Sequence, residues 1–163
     1  MRQSRHILVI VTLLLCSCGY SSRTLLPGHI KKLCIPTFEN DTTRYGVEQN
    51  VTTAVTEAFE SDGRLSVVSE ADADAMLRGA IVGYEKGPLT FDRGQSVDEF
   101  KIEIVVSIEF EDLRQGKVLW KEDAFRAWKS FKEGSADGGE EAALEAALVT
   151  LASDILSRTA EGW

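Results

Sequence analysis

Phe100-Lys-Ile-Glu-Ile-Val-Val-Ser-Ile-Glu-Phe110 restricts the fold more than any other stretch of the chain. All six even positions are apolar, and four of the five odd ones are Lys, Glu or Ser. A period of two sends successive side chains to opposite faces of a pleated strand. One face is therefore buried and the other wet, as in an antiparallel sheet covered on one side. The cover has to come from elsewhere in the chain.

Two segments offer it. Val47, Val51, Ala54, Val55, Ala58 and Phe59 recur at the spacing of one helical side, and Gly63 stands where a left-handed residue ends a helix. Leu144, Ala147, Leu148, Leu151, Ala152 and Ile155 repeat the pattern, with Glu140 and Glu141 in the first turn, where carboxylates favour the helix dipole. Ile30 to Phe38 reads as one strand, with Pro36 near an end or edge. Arg64 to Ser69 and Met76 to Lys86 are two more, Gly79 and Gly83 marking close backbone approach or bulging in the second.

Val118 to Phe131 is the last strand. Its apolar phase switches between Val118/Trp120 and Phe125/Phe131, which implies a bulge or twist. Aromatic residues in a strand are more often core or cross-strand packing than a binding surface, but the rings of that run outnumber what two helices can cover, which leaves some for a partner. The order β-α-β-β-β-β-α predicts an α+β two-layer sandwich, a mixed four- to five-stranded sheet with both helices on one face.

The N-terminus carries a different signal. Arg2 and Arg5 precede an apolar run, Ile7 to Leu15, that is broken only by Thr12 and is too short to span a bilayer. Leu15-Cys16-Ser17-Cys18 resembles the bacterial lipobox, with Cys18 as the lipidated residue. Choosing Cys16 would put Leu14 and Leu15 in the two small positions. The expected organisation is a signal peptide over 1–17, a lipidated flexible tether over 18–29 and a single domain over 30–163. Gly19 is not the Asp that holds enteric lipoproteins in the inner membrane, which implies an outer-membrane anchor facing the periplasm.

Removing residues 1–17 from 163 leaves 146, and takes Lys+Arg from 18 to 16 against 26 Asp+Glu, a net charge of −10. Such a domain repels nucleic acid. Cys34 would be its one cysteine besides Cys18, which excludes an internal disulfide framework and reads as a small core or strand residue.

Catalytic signals are sparse. His29 is the single histidine beyond the signal, without a serine elbow, HExxH or CxxC, and reads as an exposed turn residue; an enzyme is not expected, nor a cofactor. Ala71-Asp-Ala-Asp74 reads as a solvated turn with too few convergent oxygens for a hard cation. Lys86-Gly-Pro-Leu-Thr-Phe-Asp-Arg-Gly-Gln-Ser96 joins two strands and carries Arg93, with Lys86 nearby. In an acidic protein such a basic tip can select phosphate; a solvated arginine without a ligand is the other reading of the same spacing.

Cys18-Gly-Tyr, Ile35-Pro-Thr-Phe-Glu-Asn40, Gly46-x-Glu48, Asp62-Gly-Arg64, Ala71-Asp-Ala-Asp74 and the terminal Asp154-Ile…Gly-Trp163 occur in an order and spacing that resemble the lipopolysaccharide-assembly lipoproteins, the LptE family. The resemblance implies a non-catalytic plug in the lumen of the outer-membrane barrel LptD, which aids barrel assembly and binds lipopolysaccharide during delivery to the surface. It also implies a ligand-contacting arginine between the two long central strands. Phe91-Asp-Arg93-Gly94-Gln95 matches that turn with the arginine displaced by one position. A second basic residue precedes the last helix in some members; Lys129 or Lys132 is the substitute here. A pilotin-like accessory of another outer-membrane machine, without lipopolysaccharide contact, is the competing reading.

The lipobox has a direct test. Cys18→Ser should yield an unprocessed or mislocalised precursor without acyl label, whereas Cys16→Ser should be lipidated normally; metabolic labelling with a radioactive fatty acid reads both.

Overall fold

The computed structural model of the chain describes residues 26–136 and 138–161. Its elements are β1 (Lys32–Cys34), β2 (Glu39–Asn40), α1 (Val47–Asp62), β3 (Ser66–Val67), a 3-10 turn (Glu70–Asp72), β4 (Ala75–Phe91), β5 (Val97–Asp112), β6 (Lys117–Phe131) and α2 (Gly139–Glu161). One mixed sheet runs β3-β1-β4-β5-β6, with β2 also on β4. β1 pairs in parallel with β3 and β4, β2 in parallel with β4, and β4, β5 and β6 form an antiparallel meander.

The α+β sandwich follows, with one difference in strand count. The sheet has six strands, because the segment from Ile30 to Phe38 is not one continuous strand. Pro36 has no N–H to give to a ladder, and the chain leaves the sheet there. It then rejoins the same edge of β4: Leu33 lies opposite Ala75, and Asn40 opposite Ile81.

The alternating stretch is the centre of β5. Ile102, Ile104, Val106, Ile108 and Phe110 are all buried on the helix-covered side. Helix α2 packs over β5 and β6, α1 over β2, β3 and β4, and the helices pack on each other. The neighbours of β5 meet its apolar row only by changing phase. In β4 the facing residues are Leu77, Gly79 and Ile81, then, after a register shift at Val82, Tyr84, Lys86 and Pro88. In β6 they are Trp120 and Glu122, then, after a shift between the partners of Val106 and Ile108, Phe125, Ala127, Lys129 and Phe131.

The bulge expected from the aromatic run is therefore real. It also sorts the rings: Phe125 and Phe131 pack against the core, whereas Trp128 falls on the uncovered face and is 54% exposed.

Two glycines meet specific geometric demands. Gly63 ends α1 at φ 71°, its N–H donating to the Phe59 carbonyl at 3.1 Å. At Gly79 the Phe38 ring lies so close that an added Cβ would stand 2.1 Å from its Cε1. Close approach, expected from the sequence, lets the ring seal the β4 side of the core.

Ile104→Asp should lower unfolding free energy by about 4 kcal/mol or more, since it leaves an unpaired charge in the core. Glu103→Gln, on the opposite face, removes ion pairs with Lys101 and Arg126 and should cost no more than about 1 kcal/mol. Urea denaturation of both variants checks the strand phase.

Candidate functional site: a projecting hairpin and its basic residues

β4 and β5 run past the helix layer, and residues 88–98 are all exposed. The projecting end is nevertheless organised. Asp92 Oδ1 accepts hydrogen bonds from the backbone N–H of Gly94 at 2.8 Å and Ser96 at 2.9 Å. The Asp92 N–H donates to the Ser96 carbonyl at 2.8 Å, and the Gln95 N–H to that of Asp92 at 3.1 Å. Arg93 stands on this closed turn, exposed, with no ion pair or hydrogen bond among the described residues.

The other candidate cations sit lower and are differently employed. Lys86 Nζ donates to Glu140 Oε2 at 2.9 Å and Glu133 Oε1 at 3.0 Å, and lies 5.1 Å from the ring centres of both Phe100 and Phe131. The hydrogen bond to Glu140, then that to Glu133, holds its ammonium above the usual lysine range. Lys132 Nζ donates to both oxygens of Asp98 at 3.0 Å, which likewise raises it. Lys86 and Lys129 both lie opposite Ile102, on either side of β5.

The structure thus gathers Lys86, Lys129 and Lys132 at the base of the hairpin. Arg93 is seven residues farther along, roughly 20 Å at the rise of a strand. The four do not form one site.

The base itself is a brace. Arg44 pairs with Glu141 at 3.1 Å and Glu140 at 3.6 Å, and stacks over Tyr84 at 5.4 Å. The two acidic residues at the start of α2 therefore clamp the hairpin and the loop before α1, beyond complementing the helix dipole. Lys86, chiefly, with Arg44 and Tyr84, pulls the Glu140 carboxyl below its ordinary range against the opposing effect of burial.

Two readings from sequence change. His29 is not a free turn residue: its Nε2 lies 2.7 Å from Asp112 Oδ2, and Asp112 is fully buried. Asp74 is not a solvated turn residue either. It is buried and accepts from the Lys31 N–H at 2.9 Å, the Lys32 N–H at 3.0 Å and Arg114 Nε at 2.8 Å. Both carboxylates fasten the chain entering β1 to the far end of the β4–β5 pair. Hydrogen-bond partners distant in sequence decide this, so local spacing carries no sign of it.

Cys34 is buried in β1, and burial pushes its thiol upward. Among the described residues no three His, Cys, Asp or Glu side chains are grouped to hold a metal, and no helix is long and apolar enough to cross a membrane. Cys18 lies outside the described residues.

What the sequence reading missed is an apolar collar. Leu89, Phe91 and Val97 are 40%, 60% and 37% exposed around the hairpin end. Their residue types suit strands, and their exposure depends on how far the helix layer reaches.

These features define a class: open-faced, two-layer α+β domains with a projecting hairpin, a fold also found among bacterial lipoproteins. Solved structures similar to it in fold include the protein CT253 of Chlamydia trachomatis, with TM-score 0.63, 12% identity and coverage of 82% of this chain and 97% of that one. Lipoprotein B of Nitrosomonas europaea gives 0.58 and 18%, covering 83% and 84%, and a minor lipoprotein of Acinetobacter baumannii gives 0.54 and 19%, covering 82% and 92%. No curated protein matches the sequence. The lipopolysaccharide-assembly family model, LptE, matches residues 30–159, and the chain belongs to that family.

The buried carboxylates predict an acid limit to stability. Burial alone would raise Asp112, but the Gln115 N–H, His29 and the Arg114 N–H outweigh it. Asp74 is lowered chiefly by the Lys31 N–H, then by Arg114 and the Lys32 N–H, against burial. A carboxyl depressed by folding stabilises above its unfolded value, near ~3.9, and loses that contribution as pH falls through the folded value. Stability should therefore drop steeply below about pH 4. Asp74→Asn should be destabilising at pH 7, with the difference from wild type narrowing toward pH 2; urea titrations across that range provide the measurement.

Proposed function

We propose that this LptE-family lipoprotein is anchored in the outer membrane through Cys18, occupies the lumen of an LptD-type β-barrel, aids the barrel's assembly and binds lipopolysaccharide in transit. The family match over residues 30–159 supports the partner and the pathway. The observation that carries the ligand is the state of Arg93: a guanidinium on an ordered turn, far from the helix layer and committed to no carboxylate. Guanidinium grips phosphate oxygens through two parallel hydrogen bonds, and in an acidic chain such a local cation is what an anionic glycolipid requires.

The uncovered face of β5 suits a polar lumen. Lys101, Glu103, Ser107 and Glu109 line it, with Glu103 held between Lys101 and Arg126. Lys86 and Lys132 serve this reading as braces whose charges are already neutralised, and Lys129 remains available beside them.

Purification of the lipidated chain from its membranes should bring down a large β-barrel identifiable by mass spectrometry. Arg93→Ala should weaken lipopolysaccharide binding at least fivefold at matched ionic strength, with barrel recovery unchanged, and Lys132→Ala should have a smaller effect. Recovery of a different secretion-pore partner, without lipopolysaccharide, would favour the accessory-lipoprotein reading instead.

A further inference from the structure

Eight large apolar side chains are exposed among the described residues, and three of them, Leu89, Phe91 and Val97, belong to the hairpin end. The others, Tyr45, Val82, Val118, Trp128 and Val149, are spread over a loop, the sheet and a helix. Single exposed apolar residues are ordinary, but a cluster at a protruding tip marks a contact surface.

Phe91 and Val97 are cross-strand partners, so their side chains meet. Leu89 lies in the register shift between Pro88 and Thr90, just below them. None packs against the core, and the turn above them is closed by Asp92 without their help. The fold does not need these residues to be apolar.

The charge beside them is equally specific. Asp92 spends its Oδ1 on backbone amides and Asp98 is held by Lys132, which leaves Arg93 exposed on the turn that adjoins the collar, with Glu99 lower down opposite Thr90. A cation next to an apolar pair complements a molecule in which phosphate and hydrocarbon adjoin. It does not complement a free phosphate or a bare saccharide.

We propose that Leu89, Phe91 and Val97 contact the acyl chains of the bound glycolipid while Arg93 holds the phosphate at the root of those chains. This rests on the lipopolysaccharide-binding reading above and adds which part of the ligand is gripped: the phosphate–hydrocarbon boundary, not the sugar chain.

The test is site-specific photocrosslinking of the full-length chain in living cells. Benzoylphenylalanine replaces Phe91, or Tyr45 as an exposed control far from the tip. Position 91 should give an adduct that reacts with antibody to lipopolysaccharide, and position 45 none. Proteolysis of the adduct and tandem mass spectrometry of the modified peptide should place the crosslink on a fatty-acyl chain. Adding Arg93→Ala should cut the adduct at least threefold.

A crosslink on the saccharide overturns the proposal, as does an adduct at position 91 with phospholipid or barrel protein in place of glycolipid. If position 91 gives no adduct while the purified lipoprotein still binds lipopolysaccharide, the collar assignment fails and the broader function stands. If binding itself is absent, both fail. Phe91→Ser/Val97→Ser should keep the wild-type melting temperature and circular dichroism yet lose at least fivefold in affinity for lipopolysaccharide; unchanged affinity also refutes it.

Discussion

Burial of one row of β5 side chains is the constraint on which the rest of the molecule depends. Ile102, Ile104, Val106, Ile108 and Phe110 are removed from water, each contributing about 1.5–3 kcal/mol of transfer free energy. A strand slipped by one residue would expose the whole row and bury Lys101, Glu103, Ser107 and Glu109 instead. Both neighbours must therefore present matching faces, and neither does so with an unbroken period of two. The shift at Val82 in β4 and the extra residue ahead of Phe125 in β6 each flip a strand's phase midway. Each bulge sacrifices a local ladder bond and keeps both halves of its strand on the core.

The same long strands outrun their cover. Where α2 begins, its Glu140 and Glu141 with Arg44, Lys86 and Tyr84 close off the helix layer, and beyond that line the ribbon has no second layer. Lys86 marks the boundary: it occupies a core-facing position of β4, where its charge is tolerated because two carboxylates and two rings receive it. The exposed end, residues 88–98, is held by the ladder, by Asp92 and by the Asp98–Lys132 pair. That separation lets the tip carry an unpaired cation and apolar side chains without weakening the core.

The opposite end is fastened by buried carboxylates. Asp74 and Asp112 tie residues 29–32 to the start of β4 and the turn after β5. Since β4 spans 17 residues, roughly 50 Å at the rise of a strand, the chain enters the domain at one end and presents Arg93 at the other.

The sequence by itself determined the phase of β5, both helices, the glycine stop at Gly63, the close approach at Gly79 and the switch of phase in β6, because each follows from side-chain period or backbone freedom within a few residues. The motif order from Cys18 to Trp163 also carried the family, which the match over 30–159 bears out. Tertiary structure alone decided the remainder. Pro36 announced an interruption, but the return of Glu39–Asn40 to the same edge of β4 is a long-range pairing. Likewise, Lys86, Lys132 and Arg93 are all basic residues in or beside strands; only partners such as Glu140, 54 residues away, distinguish a neutralised brace from a free guanidinium. His29 and Asp74 were legible as polar turn residues and became anchors, His29 partly exposed against the fully buried Asp112 and Asp74 itself buried, since burial and hydrogen bonding belong to the packed whole, where spacing along the chain has no say.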